Sequence, residues 1–402
     1  MRKLVTIRTI SAINQIPGAD TISVVEIDGW ECVIRNDDFN VYDIVVYIET
    51  DSFLPIKEPF LFLNNIQGSV QRNADNEEGF KIRVHQMGPK KTPENIALGH
   101  VKQISNGLVM PLKDFEQLIP DIHDLPVDTD LTERVGAKVF EKFVSGETKD
   151  VAFGGMPASI KETDQERIQN NIKWFSKYQD VKFEVTEKID GTACSYALID
   201  GRFAVCNRTL DLKNVPGCKH WNYAIAHDIE KYLRKFGKNV ALQGELAGEG
   251  ISSNRLQLKG AHFFLFDIWD IDNRRYYVPQ ERKDVFEWFR DQCDIEHVPV
   301  VDQDALLDPE GSISRAQAQL AQLDLDHAAG IVNDDQFGNK RDEINIVIRD
   351  GVKKFVENAD GDSAVAPGRK REGLVFKSNE LINGQTASFK VISDLYKLKY
   401  EK

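Results

Sequence analysis

The chain has 402 residues, 41% apolar and 29% charged, which allows two or three globular domains and excludes a disordered polymer. A net charge of −13 excludes a protein that coats nucleic acid nonspecifically, but leaves room for a local basic groove. No apolar run is long enough to span a bilayer and MRKLVTIRTISAI lacks a signal-peptide core, so an intracellular, by default cytoplasmic, protein with no membrane partner is expected.

Residues 1–115 carry mainly strand signals. LVTIRTISAI, ISVVEIDGWECVI, VYDIVVYIET, KIRVHQM and VKQISNGLVMPL are short runs rich in Val, Ile and Tyr, separated by Pro, Gly, Asn and Asp. About five strands in so small a domain predict a closed or nearly closed β-barrel. GADTISVVEIDGWECVI followed by FNVYDIVVYIETDSFLP resembles the OB modules of tRNA-binding and RNA-processing proteins.

Residues 116–180 read as a linker that ends in one helix. In TDQERIQNNIKWFSKY, Thr163 and Asp164 offer an N-cap, Glu166 falls in the first turn, and Ile168, Ile172 and Phe175 recur at helical spacing. Residues 181–402 alternate strands and helices. Strands are predicted at KFEVTEK, ACSYALID, RFAVCNR, NVALQGELA, HFFLFDIWD, REGLVFKS and ASFKVIS, and helices at HWNYAIAHDIEKYLRKFG and PQERKDVFEWFRDQC. From 302 to 362 the chain has 14 Asp and Glu against 6 Lys and Arg. The part near 303–350 reads as an acidic insertion, helical at SRAQAQLAQLDLD, weakly structured at NDDQFGNKRDE, and suited to a surface excursion or a partner site. The five cysteines form no CxxC pair and the eight histidines no HExxH, so thiols are expected reduced and a histidine-rich metal site is not expected.

Lys188 stands two residues before Asp190-Gly191, which is equally the pattern of a hairpin turn and of a nucleophile at the mouth of a pocket. Order decides between them. After Lys188-Ile-Asp190-Gly191 come Asn207-Arg208, Gly244-Glu245, the aromatic strand FFLFDI at 263–268, Arg371-Glu372-Gly-Leu-Val-Phe-Lys377, and Ser388-Phe-Lys390. This series resembles the covalent nucleotidyltransferase superfamily of ligases and capping enzymes. It is most similar to ATP-dependent RNA ligases of the Deinococcus and Naegleria type, which carry an N-terminal OB module. DNA ligases more often have arginine two residues after the glycine of the motif; Ala193 stands there and tilts the reading toward RNA.

The resemblance implies a multidomain α+β fold. An OB-type barrel precedes an adenylyltransferase domain with antiparallel sheets. It also implies the chemistry. Lys188 attacks the α-phosphate of ATP and retains AMP, while Lys377 and Lys390 offset charge on the phosphate. Glu187, Arg208, Glu245 and Phe266 complete the nucleotide set with those lysines, Phe266 by stacking on adenine. Asp190, Glu245 and Glu372 are implied for Mg²⁺ or Mn²⁺, directly or through water. Of Phe264 and Phe266, strand alternation predicts one face for both, so one packs while the other stacks. Asn207 and Asp267 read equally as turn or capping groups, and Lys397 and Lys399 as a solvated tail. RNA, as nicked duplex or free ends, is the expected partner of a monomer. A DNA ligase, a capping guanylyltransferase, or a noncatalytic RNA-binding protein on the same modules are the alternatives.

Overall fold

The structure is a computed structural model that describes residues 2–73, 75–89, 103–140 and 151–400. The N-terminal part is all β with short 3₁₀ turns. Its centre is Ile44–Glu49, paired antiparallel to Val5–Thr9 on one side and Gly107–Pro111 on the other. Both faces of this strand are buried. Val46 and Ile48 enter one apolar cluster with Leu54, Phe60, Phe80 and Phe115, while Val45 and Tyr47 enter a second with Val25, Trp30 and Cys32. Three further sheets belong to this part among the described residues: Ala12–Gln15, Ile22–Ile27 and Trp30–Arg35 form a meander, Lys138–Val139, Ser52–Pro55, Glu78–Lys81 and Val70–Arg72 follow one another in a second, and His85–Met87 pairs with Gln103–Ser105. The expected barrel is thus not closed: the strands form separate sheets, with no continuous ladder among the described residues.

Residues 116–180 are not the extended linker with one helix that the spacing predicts. Ile119, Ile122, Leu131 and Val135 are fully buried in the N-terminal core. The predicted helix is a 3₁₀ turn at Ile168–Asn171 and a single turn at Trp174–Lys177. The segment before it lies beside the last strand: Lys390 N donates to Glu166 O at 2.8 Å, and Arg167, extended, forms a β-bridge with Lys390. A tertiary contact has replaced the local N-cap.

Two sheets form the C-terminal part. The larger runs Ala152–Gly155, Leu210–Leu212, Arg202–Cys206, Thr192–Ile199, Val240–Gly248, Ala261–Asp270, Arg275–Tyr276, with Glu296–His297 added parallel to Ala261–Asp270. Its outer face packs on helices Lys219–Ala226, Ile229–Phe236 and Pro279–Cys293. The first two were predicted as one helix; Asp228 takes a left-handed conformation (φ 52°) and breaks it. The smaller sheet runs Val300–Ala305, Phe183–Lys188, Gly373–Ile382, Gln385–Ile392.

The acidic stretch is a helical hairpin, Ser312–Ala328 and Asp334–Glu357. NDDQFGNKRDE opens the second helix rather than a loose patch. Asn333 accepts from Gln336 N at 2.9 Å, and Asp334 and Asp335 sit where the helix dipole favours acids. Ile313, Val352 and Val356 pack the hairpin onto the smaller sheet. It also reaches the N-terminal part, with Lys353 on Glu31 at 2.6 Å and Arg349 on Glu26 at 3.0 Å, so it braces the chain instead of standing clear of it. No helix of the described residues is long and apolar enough to cross a membrane.

Candidate active site

The two C-terminal sheets face each other across one cleft, and Ile189-Asp190-Gly191 links their walls. Lys188 ends a strand of the smaller sheet and Thr192 begins one of the larger. The Asp-Gly pair is therefore a passage between sheets and not a hairpin turn. A Cβ on Gly191 would lie 2.4 Å from Leu246 O, so only glycine allows that passage.

Register explains which side chains enter. Directly opposed residues of an antiparallel pair share a face. Glu184 opposes Lys377, Thr186 opposes Val375, Lys188 opposes Gly373, and Val375 opposes Lys390. All of these except Gly373 line the cleft, with Arg208, Glu245, Phe266 and Asp267 from the larger sheet. Six separated segments thus converge as their order predicted.

Lys188 Nζ sits 2.7 Å from Glu372 Oε1. Burial opposes its charge, but Glu372 and then Glu245 outweigh burial and hold the pKa above the ordinary lysine value. Glu245 is pushed up to about 8, chiefly by burial, with Glu372 and Asp190 adding and Lys188 and Arg208 opposing. Burial, and then Glu372, also raise Asp190. The three acids therefore repel one another. Asp190 Oδ2 is in addition a buried oxygen with no hydrogen-bond partner. Among the described residues no three acidic, His or Cys side chains close into a direct metal cage. Mutual repulsion beside an unsatisfied oxygen suits a divalent cation that keeps much of its water.

Lys377 is buried in contact with Asp267. Burial pulls its pKa down to about 7, with Glu184 opposing. Lys390 Nζ donates to Asp164 at 2.7 Å. Burial lowers Lys390 to about 8, with Asp164 resisting, while Lys390 and Arg2 hold Asp164 below the usual carboxylate range against its own burial.

A β-bulge accounts for the aromatic strand. Gln243 pairs with Asp267 and Gly244 with Leu265, which leaves Phe266 as the extra residue. Bulges re-aim side chains. Here Phe266 and Asp267 both reach the cleft, while Phe264 is buried beside Ile189 and Val298 and Phe263 lies in the opposite core. Asn207 proves to be a turn group, its Oδ1 accepting from Thr209 N and Leu210 N at 3.0 and 2.7 Å, which fixes the Arg208 loop.

Glu187 borders the cleft but lies one residue out of phase with Lys188, and its carboxylate is taken up by the 363–364 loop. It accepts from Ser363 Oγ at 2.5 Å and Ala364 N at 2.7 Å and anchors that loop. Lys397 is not a solvated tail residue: it is 3% exposed and donates to Asn106 Oδ1 at 2.9 Å, whereas Lys399 is exposed.

Several cleft residues gave no usable signal in the sequence. Asp164 lies in the misread helix, Glu184 and Arg282 match no motif, and Asp267, inside FFLFDI, has the local chemistry of a turn group. Arg255 lies 3.5 Å from Asp190 and donates to Tyr396 at 2.8 Å, so the C-terminal helix Asp394–Tyr400 supports the Asp190 corner. Arg282 pairs with Glu184 on the cleft wall and donates through Nε to His297 Nε2 at 3.1 Å. Burial and the Arg282 charge push His297 down to about 4.

A histidine depressed in the folded state contributes stability above its unfolded pKa, near 6.5, and loses it as pH falls toward 4. Urea unfolding at neutral and mildly acid pH should therefore show a loss of up to about 3 kcal/mol that is missing in His297→Gln. An identical acid slope in that variant would refute the neutral His297.

The RNA ligase family matches residues 181–392, and an OB-fold domain family matches residues 4–112. No curated protein matches the chain. Among solved structures, a mutant Naegleria gruberi RNA ligase with AMP and Mn is 30% identical, with a TM-score of 0.75 over 100% of this chain and 99% of that one. Naegleria gruberi RNA ligase with PPi is 31% identical, with a TM-score of 0.73 and the same coverage. A further mutant of that enzyme with ATP and Mn is 31% identical, with a TM-score of 0.72 over 99% and 98% of the two chains.

Proposed function

The chain belongs to the RNA ligase family, and from that premise we propose how its cleft divides the work of an ATP-dependent RNA ligase. The observation that carries the proposal is the convergence of Lys188, Arg208, Glu245, Phe266, Glu372, Lys377 and Lys390 on one cleft, with Lys188 at 2.7 Å from Glu372.

In this reading Lys188 Nζ attacks the α-phosphorus of ATP. A phosphorus–nitrogen bond forms, the bond to the β-phosphate oxygen breaks, and pyrophosphate leaves. The amine must first lose a proton, and Glu372 is placed to take it. Lys377 and Lys390 present ammonium groups to the phosphate as charge builds on its oxygens. Phe266 stacks on the adenine, Arg208 meets the ribose or the RNA 5′-phosphate, and Glu245 reaches the ribose hydroxyls where it does not serve the metal. AMP then passes from Lys188 to an RNA 5′-phosphate, and an RNA 3′-hydroxyl displaces it. Asp190, Glu245 and Glu372 would hold Mg²⁺ or Mn²⁺, which when bound neutralises the charge of the transferring phosphates and of the three acids. Glu187 orders the 363–364 loop at the cleft edge and touches nucleotide with its backbone at most.

We take the substrate to be a nicked duplex or paired RNA ends and the acting species to be a monomer. Residues 1 to about 139 would act as the RNA-holding module, because Lys138–Val139 still pairs within it. Five free cysteines, four of them buried, support a reducing compartment such as the cytoplasm.

Labelled ATP should mark the protein and GTP should not. A nick flanked by RNA should then seal about tenfold or more faster than the same nick flanked by DNA. Labelling by GTP alone, or equal sealing of both nicks, would overturn this assignment of substrates.

A further inference from the structure

We propose that Phe153 is a stacking platform for a base of the RNA substrate, on the strand that carries the 5′-phosphate. The proposal rests on the RNA ligase reading and adds a contact outside the nucleotide cleft.

Phe153 is 61% exposed, on the edge strand Ala152–Gly155 of the larger sheet. Its orientation is built. The register with Leu210–Leu212 slips between Ala152 and Gly154, so Phe153 is the bulged residue and is turned out of the ladder. A Cβ on Gly154 would meet nothing within 4 Å, so the surface beside the ring is open.

The ring lies on the cleft side of the sheet. Along Arg202–Cys206, Phe203 and Val205 point into the helix-covered core, while Ala204 and Cys206 point to the other face. Arg202 shares that other face by alternation and places its guanidinium carbon 5.0 Å from the Phe153 ring centre. Lys213 adds its ammonium at 5.9 Å. Asp211 binds Arg202 and steadies it against the ring.

An exposed ring flanked by an arginine and a lysine, in a chain of net charge −13, is complementary to a stacked base with its phosphates. Arg208 sits in the tight turn that joins Arg202–Cys206 to Leu210–Leu212, at the end of the hairpin in which Cys206 pairs with Asp211. A strand whose terminal phosphate reaches Arg208 would bring one of its next bases over Phe153.

The test uses the full-length enzyme and a nicked RNA duplex, with free or pre-adenylylated 5′-phosphate. Phe153→Ala and Phe153→Leu should raise KM for the nick about tenfold, and Phe153→Trp should hold it near the wild-type value. Formation of the protein–AMP adduct from ATP alone should be unchanged in all three. An unchanged KM in the alanine variant, or a leucine variant that behaves as wild type, would overturn the stacking role. So would an adduct rate that falls in parallel, since the edge strand would then be shaping the nucleotide cleft. A wild-type enzyme unable to seal RNA would instead refute the RNA ligase reading itself.

Discussion

Lys188→Ala should abolish the covalent protein–AMP adduct, by about three orders of magnitude or more, and with it all sealing that starts from ATP. No other amine in the cleft is placed to substitute. Lys377 is buried against Asp267, and Lys390 is buried 2.7 Å from Asp164. Lys188 alone is 25% exposed along its side chain, ends its strand, and faces a carboxylate at 2.7 Å. The surrounding acids hold it charged, which makes loss of its proton part of the barrier to the first step and gives adduct formation a rate that climbs with pH. The control is a nick whose 5′-phosphate already bears AMP. There Lys188 has no bond to make, so the alanine variant should still seal it. Mass spectrometry of the protein after incubation with ATP reads the adduct directly. An adduct in the variant would end the mechanism given above.

The second large effect concerns Lys390. Its replacement by alanine should slow adduct formation about 100- to 1000-fold, the usual range for removing one preorganised donor from a developing oxyanion. Arginine should not restore the rate, because a planar fork cannot occupy the place of a point charge 8% exposed between strand and linker. The pH dependence follows from the same geometry. Lys390 must be charged to act, and its pKa is pushed down to about 8 by burial. Its contribution is therefore present below that value and lost as pH rises through it. Asp164 is the partner that resists the shift, so Asp164→Asn should move the alkaline limb of adduct formation to lower pH. Asp164→Glu should return it part of the way. A limb that does not move in Asp164→Asn would show that the pair has no influence on the charge of Lys390.

The corrections share a cause. Thr163 and Asp164 have the local chemistry of an N-cap, and the apolar spacing behind them is helical. The helix loses because this segment gains a single β-bridge from Arg167 to the final strand and an ion pair from Asp164 to Lys390, contacts more than 200 residues away in sequence. The acidic hairpin was misread in the other direction. Its charge suggested loose surface, but a good cap and three apolar residues on one face were enough to fold it onto a sheet. Glu187, which the resemblance implies for the nucleotide, borders the cleft, while alternation from Lys188 gives its carboxylate to the 363–364 loop. The closed barrel was an inference from strand count, which does not state where one ladder ends and another begins.

By itself the sequence, through its ordered motifs, pointed to the RNA ligase family and named most of the side chains that the structure gathers in one cleft. Those residues are constrained by the reaction, so their types survive at readable spacing in one ordered series. Only the tertiary structure decided how they are aimed and held. A bulge turned Phe266 and Asp267 into the cleft together, the Asp-Gly passage set its two walls, and Asp164, Arg255, Arg282 and Tyr396 arrived from distant segments as supports. Such supports need only the right charge at the right place in space. Strand register and the packing between sheets supply that place, and neither leaves a local pattern in the chain.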